Sequence, residues 1–238
     1  DASGIKSTAL TDAITANTLT STPLAMPATV TVKNAAGADE ILNLGFANSI
    51  AISGNMLAIA AENDVKSSAG AVLFFDISAA PVLRHAVKVG ALPDMLTFSS
   101  DGSKVLVANE GEPADNYQID PEGSVSLINL TAQQPALRAQ TLDFSAFNSQ
   151  KAQLAAKGIK FASPAATTVA QDLEPEYITL SVDQKKAYVS LQENNAFAVL
   201  DLTANKVEKL LPLGFKDHSL AKNSLDVSNR DGVNLVTM

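Results

Sequence analysis

Cysteine is absent from this chain, and so is tryptophan. Without cysteine there is no disulfide, no thiolate zinc site, no iron–sulfur cluster and no thiol nucleophile. The absence says nothing about compartment, since many exported bacterial proteins also lack it. Histidine is nearly missing, with only His85 and His218, so a histidine-rich metal centre is excluded. No apolar run approaches the ~20 residues of a membrane-spanning helix. Positive charge is scarce too: 17 Lys and Arg face 25 Asp and Glu, for a net charge of −8. Nucleic-acid binding needs cations to replace phosphate counterions and is disfavoured, as is attraction to anionic membranes. An acidic chain suits cations or cationic partners, although acidity also serves solubility alone. G-x-S-x-G, P-loop and G-x-G-x-x-G motifs are all absent, and no organic cofactor is expected.

What the chain does have is repetition. Residues 93–108 read PDMLTFSSDGSKVLVA, residues 175–190 read PEYITLSVDQKKAYVS, and residues 48–60 give a shorter NSIAISGNMLAIA. Each is followed, after a loop, by another apolar run: GAVLFFDI, GSVSLINL and NAFAVLDL. The alternation of large and small residues has the period of a strand. Gly54-Asn55, Asp101-Gly102 and Asp183-Gln184 supply the turns. A fourth strand is expected after each run, at 82–89, 137–144 and 206–213. Four antiparallel strands per repeat predict an all-β propeller with about three to four blades. In this reading Phe74, Phe98, Tyr188 and Phe197 are blade core.

Residues 1–40 read as a lead-in with one strand near 28–32, and residues 41–238 as a partial propeller. The excess spacing between the second and third repeats falls in 145–172. There, helical composition and a stop at Gly158 predict one short helix near 149–157. Leu213-Gly214-Phe215-Lys216-Asp217-His218 matches the start of the second repeat, so a fourth copy is expected to open near Leu213. Three blades and a fragment do not close a ring and leave edges exposed. The remainder is therefore expected in further chain, or else in another copy. The first residue is Asp1 rather than Met, as in a processed or trimmed protein.

The repeat motif resembles the YVTN-type bacterial surface propeller repeats. Three longer strings, at 90–130, 170–202 and 213–219, resemble the choice-of-anchor I family. The resemblance implies a seven-bladed propeller outside the cytoplasm, periplasmic or at the cell surface, held by varied C-terminal anchors. Such proteins often carry an alkaline-phosphatase-like label. The stretch Gly37–Ile41 resembles the lead into a first blade, yet Leu42 runs straight into Asn43-Leu44-Gly45, as if that blade were missing.

Carboxylates are the candidate functional groups. Asp94 and Glu176 occupy matching positions at the start of the innermost strands, which ring one mouth of a propeller channel. His218 holds the same slot in the fourth copy, and Glu174 and Asp172 lie just before Glu176. A second group follows the second strand of each repeat: Glu62, Glu110 with Glu112, and Glu193. Oxygen ligands of this kind suit Ca²⁺ or another hard divalent cation. The plainer alternative is that these acids fix turns or face water. The loop 109–122 carries five acids in fourteen residues without the spacing of an EF-hand. Asp217 beside His218 offers an acid–base pair or an ordinary hydrogen bond. Two functions follow. One is a surface-associated module binding an unknown protein or small-molecule ligand, stabilised by cations. The alternative is a metal-dependent phosphoesterase using two ions at the mouth, an expectation that rests on fold-level analogy.

Overall fold

The computed structural model describes residues 23–131, 137–161 and 167–227, together with a few positions before and after them. Most of the lead-in, 1–22, lies outside the described residues.

Three sheets follow one another along the chain, each a meander whose neighbours in space are neighbours in sequence. The first comprises β2 (Asp39–Ser53), β3 (Met56–Asn63), β4 (Ala69–Asp76) and β5 (Val82–Ala91). An additional strand, β1 (Thr29–Lys33), pairs antiparallel with residues 39–43 of β2. This hairpin occupies the place where the sequence resemblance led into a further blade, and β2 runs unbroken through position 40. The second sheet is β6 (Pro93–Phe98), β7 (Lys104–Asn109), β8 (Ser124–Asn129) and β9 (Ala139–Asp143). The third is β10 (Ile178–Leu180), β11 (Lys186–Leu191), β12 (Ala196–Asp201) and β13 (Lys206–Pro212).

The repeated S-x-D-x-x-K string explains the first hairpin of the second and third sheets. Ser99 accepts on its hydroxyl from the Lys104 amide, and its own amide donates to the Lys104 carbonyl, both at 2.9 Å. Ser181 and Lys186 repeat the pair at the same distances. Asp101 and Asp183 each accept from the serine and from a turn amide. These bonds favour the ionised form, and Asp101 is held down to about 2. The repeat's aspartates are thus turn staples.

The sheets stack face to face as a fan. Strand alternation sends Ala58, Ala60, Val72 and Phe74 toward the second sheet, where they meet Leu96, Val105, Val107 and Ile128. Leu106, Ala108, Val125 and Leu127 leave the opposite face of the second sheet and meet Ala187, Val189, Ala198 and Leu200 of the third. The innermost strands β2, β6 and β10 are in contact in series, and so are the outermost β5, β9 and β13. Sheets that touch inner edge to inner edge and outer edge to outer edge are blades around an axis, the propeller arrangement.

The insertion between the second and third blades is helical as expected: a 3₁₀ turn at Ser145–Gln150 runs into α1 (Lys151–Ala156). Gly158 ends it at φ +101°, a backbone conformation that a side chain would strain. A second turn, α2 (Val169–Asp172), carries a capping box between Thr168 and Gln171. Phe144, Leu154, Ile159 and Leu173 bury the insertion in the core shared by the second and third blades.

Two expectations are corrected. No strand forms from Leu213 to Ser219. The Asp217 carboxylate accepts from the Ser219 amide and hydroxyl, His218 turns onto the Asn223 carbonyl, and only a two-residue pairing follows, β14 (Leu225–Asp226) with β15 (Leu235–Val236). Among the described residues after Pro212 there is no strand of more than two residues for that segment to pair with. Tyr188 and Phe197 are not core either. They stand 40% and 37% exposed on the far face of the third blade, which no described element covers.

Candidate functional site

The fan sets the starts of its inner strands side by side. Asp94 is the second residue of β6, Glu110 follows β7, and Glu176 precedes β10. One carboxylate oxygen from each falls within 4.8 Å of the other two. Backbone bonds hold this arrangement. The Glu110 amide donates to the Leu92 carbonyl at 2.9 Å, which places it beside the start of β6. The Glu176 amide donates to the Ser190 carbonyl at 3.0 Å. Gly123 keeps the loops close: a Cβ there would lie 1.9 Å from the Leu173 carbonyl and 2.9 Å from that of Glu110.

Asn194, 1% exposed, ties the third blade to the insertion. Its side-chain NH₂ donates to the carbonyls of Asp172 and Lys160 at 2.7 and 3.0 Å, and its oxygen accepts from the Glu174 amide at 3.1 Å. Behind it, the Lys151 ammonium meets Asp172 at 2.9 Å, and the Asp172 side chain is 2% exposed.

The electrostatics follow from crowding like charges in partial burial. Glu110 is pushed up to about 8, first by burial and then by the charges of Asp94, Glu176, Glu112 and Glu174. Glu174 rises to about 7 through burial and the charges of Glu193 and Glu112. Glu176 is raised by burial and by a hydrogen bond to Glu193, with Gln192 donating to it and opposing the rise. Asp94 is raised by burial. At neutral pH Glu110 therefore keeps a proton that a solvated carboxylate would have lost.

The remaining sequence candidates fall elsewhere. Glu112 is paired with Lys66 at 2.8 Å on the rim. Glu174 neighbours the three convergent carboxylates without joining them. Glu62 accepts from Asn48 and from the Phe46 amide. Among the described residues His218 belongs to no cluster of metal-ligating side chains. Asp94 and Glu110 came from two separate groups in the sequence. The antiparallel register pairs Pro93 with Asn109, which makes those groups one. Gln192 and Asn194 carried no sequence signal beyond their place in a polar turn.

Radial blades with an acidic mouth define the class, a β-propeller module. The chain belongs to the choice-of-anchor I domain family, which matches residues 7–238. No curated protein matches it. Among solved structures it is similar to the hydrazine synthase of Kuenenia stuttgartiensis, at 14% identity and TM-score 0.46, over 80% of this chain and 44% of that one. It is also similar to a Lactobacillus plantarum protein, at 16% identity and TM-score 0.48, over 74% and 46% of the two chains. The periplasmic gluconolactonase PpgL of Pseudomonas aeruginosa matches at 16% identity and TM-score 0.36, over 77% and 64%. The chain thus spans about half the length of the first two. No helix among the described residues is long and apolar enough to cross a membrane.

Proposed function

We propose that this chain is a binding module of an exported, surface-associated propeller, and that its acidic mouth holds a hard divalent cation, Ca²⁺ first among them. The observation that carries the reading is the convergence of Asp94, Glu110 and Glu176. Two oxygens on one Ca²⁺, each about 2.4 Å from it, stand at most about 4.8 Å apart, and the three carboxylate oxygens lie within 4.8 Å of one another. All the donors are hard oxygens, with neither sulfur nor imidazole among them, as Ca²⁺ prefers. An ion would also relieve the repulsion that raises Glu110. Export is inferred from the family, whose members are surface-associated.

The phosphoesterase reading gains nothing from this geometry. Two-metal hydrolysis needs paired ions about 3.5–4 Å apart, and the convergence marks a single point.

Titration calorimetry with CaCl₂ on chelator-treated protein tests the reading. Saturable binding is expected, weakened roughly tenfold or more in Glu110→Gln, since affinity in such sites follows the count of ligand charges. An absence of heat, together with an unchanged melting temperature in millimolar Ca²⁺, would refute it.

A further inference from the structure

Strand alternation turns Ile178, Ala187, Val189, Ala198 and Leu200 toward the second blade. It leaves Tyr177, Thr179, Tyr188, Ser190, Phe197 and Val199 on the far face of the third. The repeat shows what that face is equivalent to. Ser99–Lys104 and Ser181–Lys186 close matching hairpins, so Tyr188 stands where the second blade has Leu106. Lys104 pairs in register with Asn129, and Lys186 with Asp201, so Phe197 and Val199 stand where it has Val125 and Leu127. Those three residues of the second blade are buried against the third. The third blade thus repeats a sheet-packing surface, yet Tyr177 stands 65% exposed on it.

Side-chain size alternates across this face in both directions. Register pairs Thr179 with Tyr188 and Tyr188 with Val199. One step toward the mouth, the Tyr177 carbonyl accepts from the Ser190 amide at 2.9 Å, and Ser190 pairs with Phe197. Two rows result: large, small, large beside small, large, small. A two-fold axis lying between two copies of the face, across the strands, sets each row over the other row of the copy. Tyr177 then meets Thr179, Tyr188 meets Ser190, and Phe197 meets Val199, large over small in every column. Val199, 2% exposed, is the floor on which the copy's Phe197 rests. Such a surface is complementary to itself, as an isologous contact requires. Lys209, opposite Val199, lies on the outermost strand, where its stem can cover apolar surface while its ammonium reaches water. Lys186, in the next row, is neutralised by Asp201 and Glu208.

The first blade offers no such face. Val30, Val32 and Leu42 of the β1 hairpin lie over Ile59, Leu73 and Phe75 of β3 and β4. Head-to-tail growth from third blade to first is therefore blocked, and association stops at two copies.

We infer that two copies of this chain pair face to face through their third blades. Four strands about 4.8 Å apart, with six residues each in β11 and β12 at about 3.3 Å per residue, give a face of roughly 400 Å² per copy. That lies at the low end of specific interfaces and sets a reversible dimer in the micromolar range. The pairing is independent of the cation at the mouth.

The test is sedimentation equilibrium of the full chain in chelator, from about 1 to about 500 µM, a span that brackets so small a contact. The mass is expected to rise from one copy to two and to level there. Phe197→Asp should raise the dissociation constant roughly tenfold or more, the mark of a central aromatic anchor, with the circular dichroism spectrum unchanged. Thr179→Trp adds apolar surface at an exposed strand position but fills the hollow that receives Tyr177, and it should weaken the dimer as well. A single-copy mass at every concentration, growth past two copies, or a dimer indifferent to Phe197→Asp would overturn the pairing. A dimer tightened by Thr179→Trp would overturn it too, since general stickiness predicts that gain.

Discussion

Raising the pH in the absence of divalent cations should destabilise this protein, and calcium should reverse the effect. In the fold Glu110 titrates near 8, against an ordinary value of 4.5. The native state therefore holds a proton that the unfolded chain has already released. Stability falls with pH wherever the native state binds more protons. The contribution of Glu110 is complete below about pH 4.5 and is lost as pH climbs through about 8. His85, pushed below 6.5 by burial and by Arg84, acts in the opposite sense at lower pH. Above about pH 6.5 His85 no longer opposes the fall, and Glu174 and Glu176, both raised to about 7, add to it. There the native proton on Glu110 is worth about 2 kcal/mol at full burial. The side chain is only half-buried, and solvent screening reduces this to roughly 1 kcal/mol. For a chain of this length that corresponds to roughly 2–4 °C in melting temperature. Differential scanning calorimetry in chelator should show this fall, and Glu110→Gln should lessen it, leaving the part carried by Glu174 and Glu176. At the proposed site calcium would compete with protons for the carboxylates, so its stabilisation should grow over the same pH range. A wild-type slope equal to that of Glu110→Gln, or a calcium affinity that falls as pH rises, would refute the reasoning.

Two further outcomes test the supports of the mouth. Gly123→Ala forces a Cβ to 1.9 Å from the Leu173 carbonyl; it should destabilise the fold by about 1–3 kcal/mol or more and lower calcium affinity, both read by calorimetry. Lys151→Met leaves the buried Asp172 carboxylate without its cation; a loss of about 3–5 kcal/mol at full effect is expected in urea unfolding, partly recovered at acidic pH, where Asp172 takes up a proton.

Much of the blade was legible in the sequence because its determinants are local. Alternation located β7, β8, β11 and β12, and the S-x-D-x-x-K string announced a hairpin that the Ser99–Lys104 bonds then close. Of the mouth, Asp94 and Glu176 were legible as equivalent positions, since repeats return equivalent residues to one rim. That Glu110 joins them depends on hairpin register rather than on the repeat. Other features depend on partners far away in the chain. Phe197 alternates as a core residue does, yet whether that face is covered is decided by a neighbouring sheet. Lys151 and Asp172, or Asn194 and Lys160, meet only after the chain has looped out and returned. The fourth copy resembled the second over six residues. A strand also needs a partner to bond with, and that information lies outside those six residues.

Asn194 moors both ends of the excursion between the second and third blades, holding Lys160 on the outward leg and Asp172 and Glu174 on the return. Whatever tension or slack develops between those moorings stops at one amide. The return leg adds its own anchor, since Val169 and Ala170 lie buried in the core shared by the two blades, so the rim inherits its spacing from packing as well as from that amide.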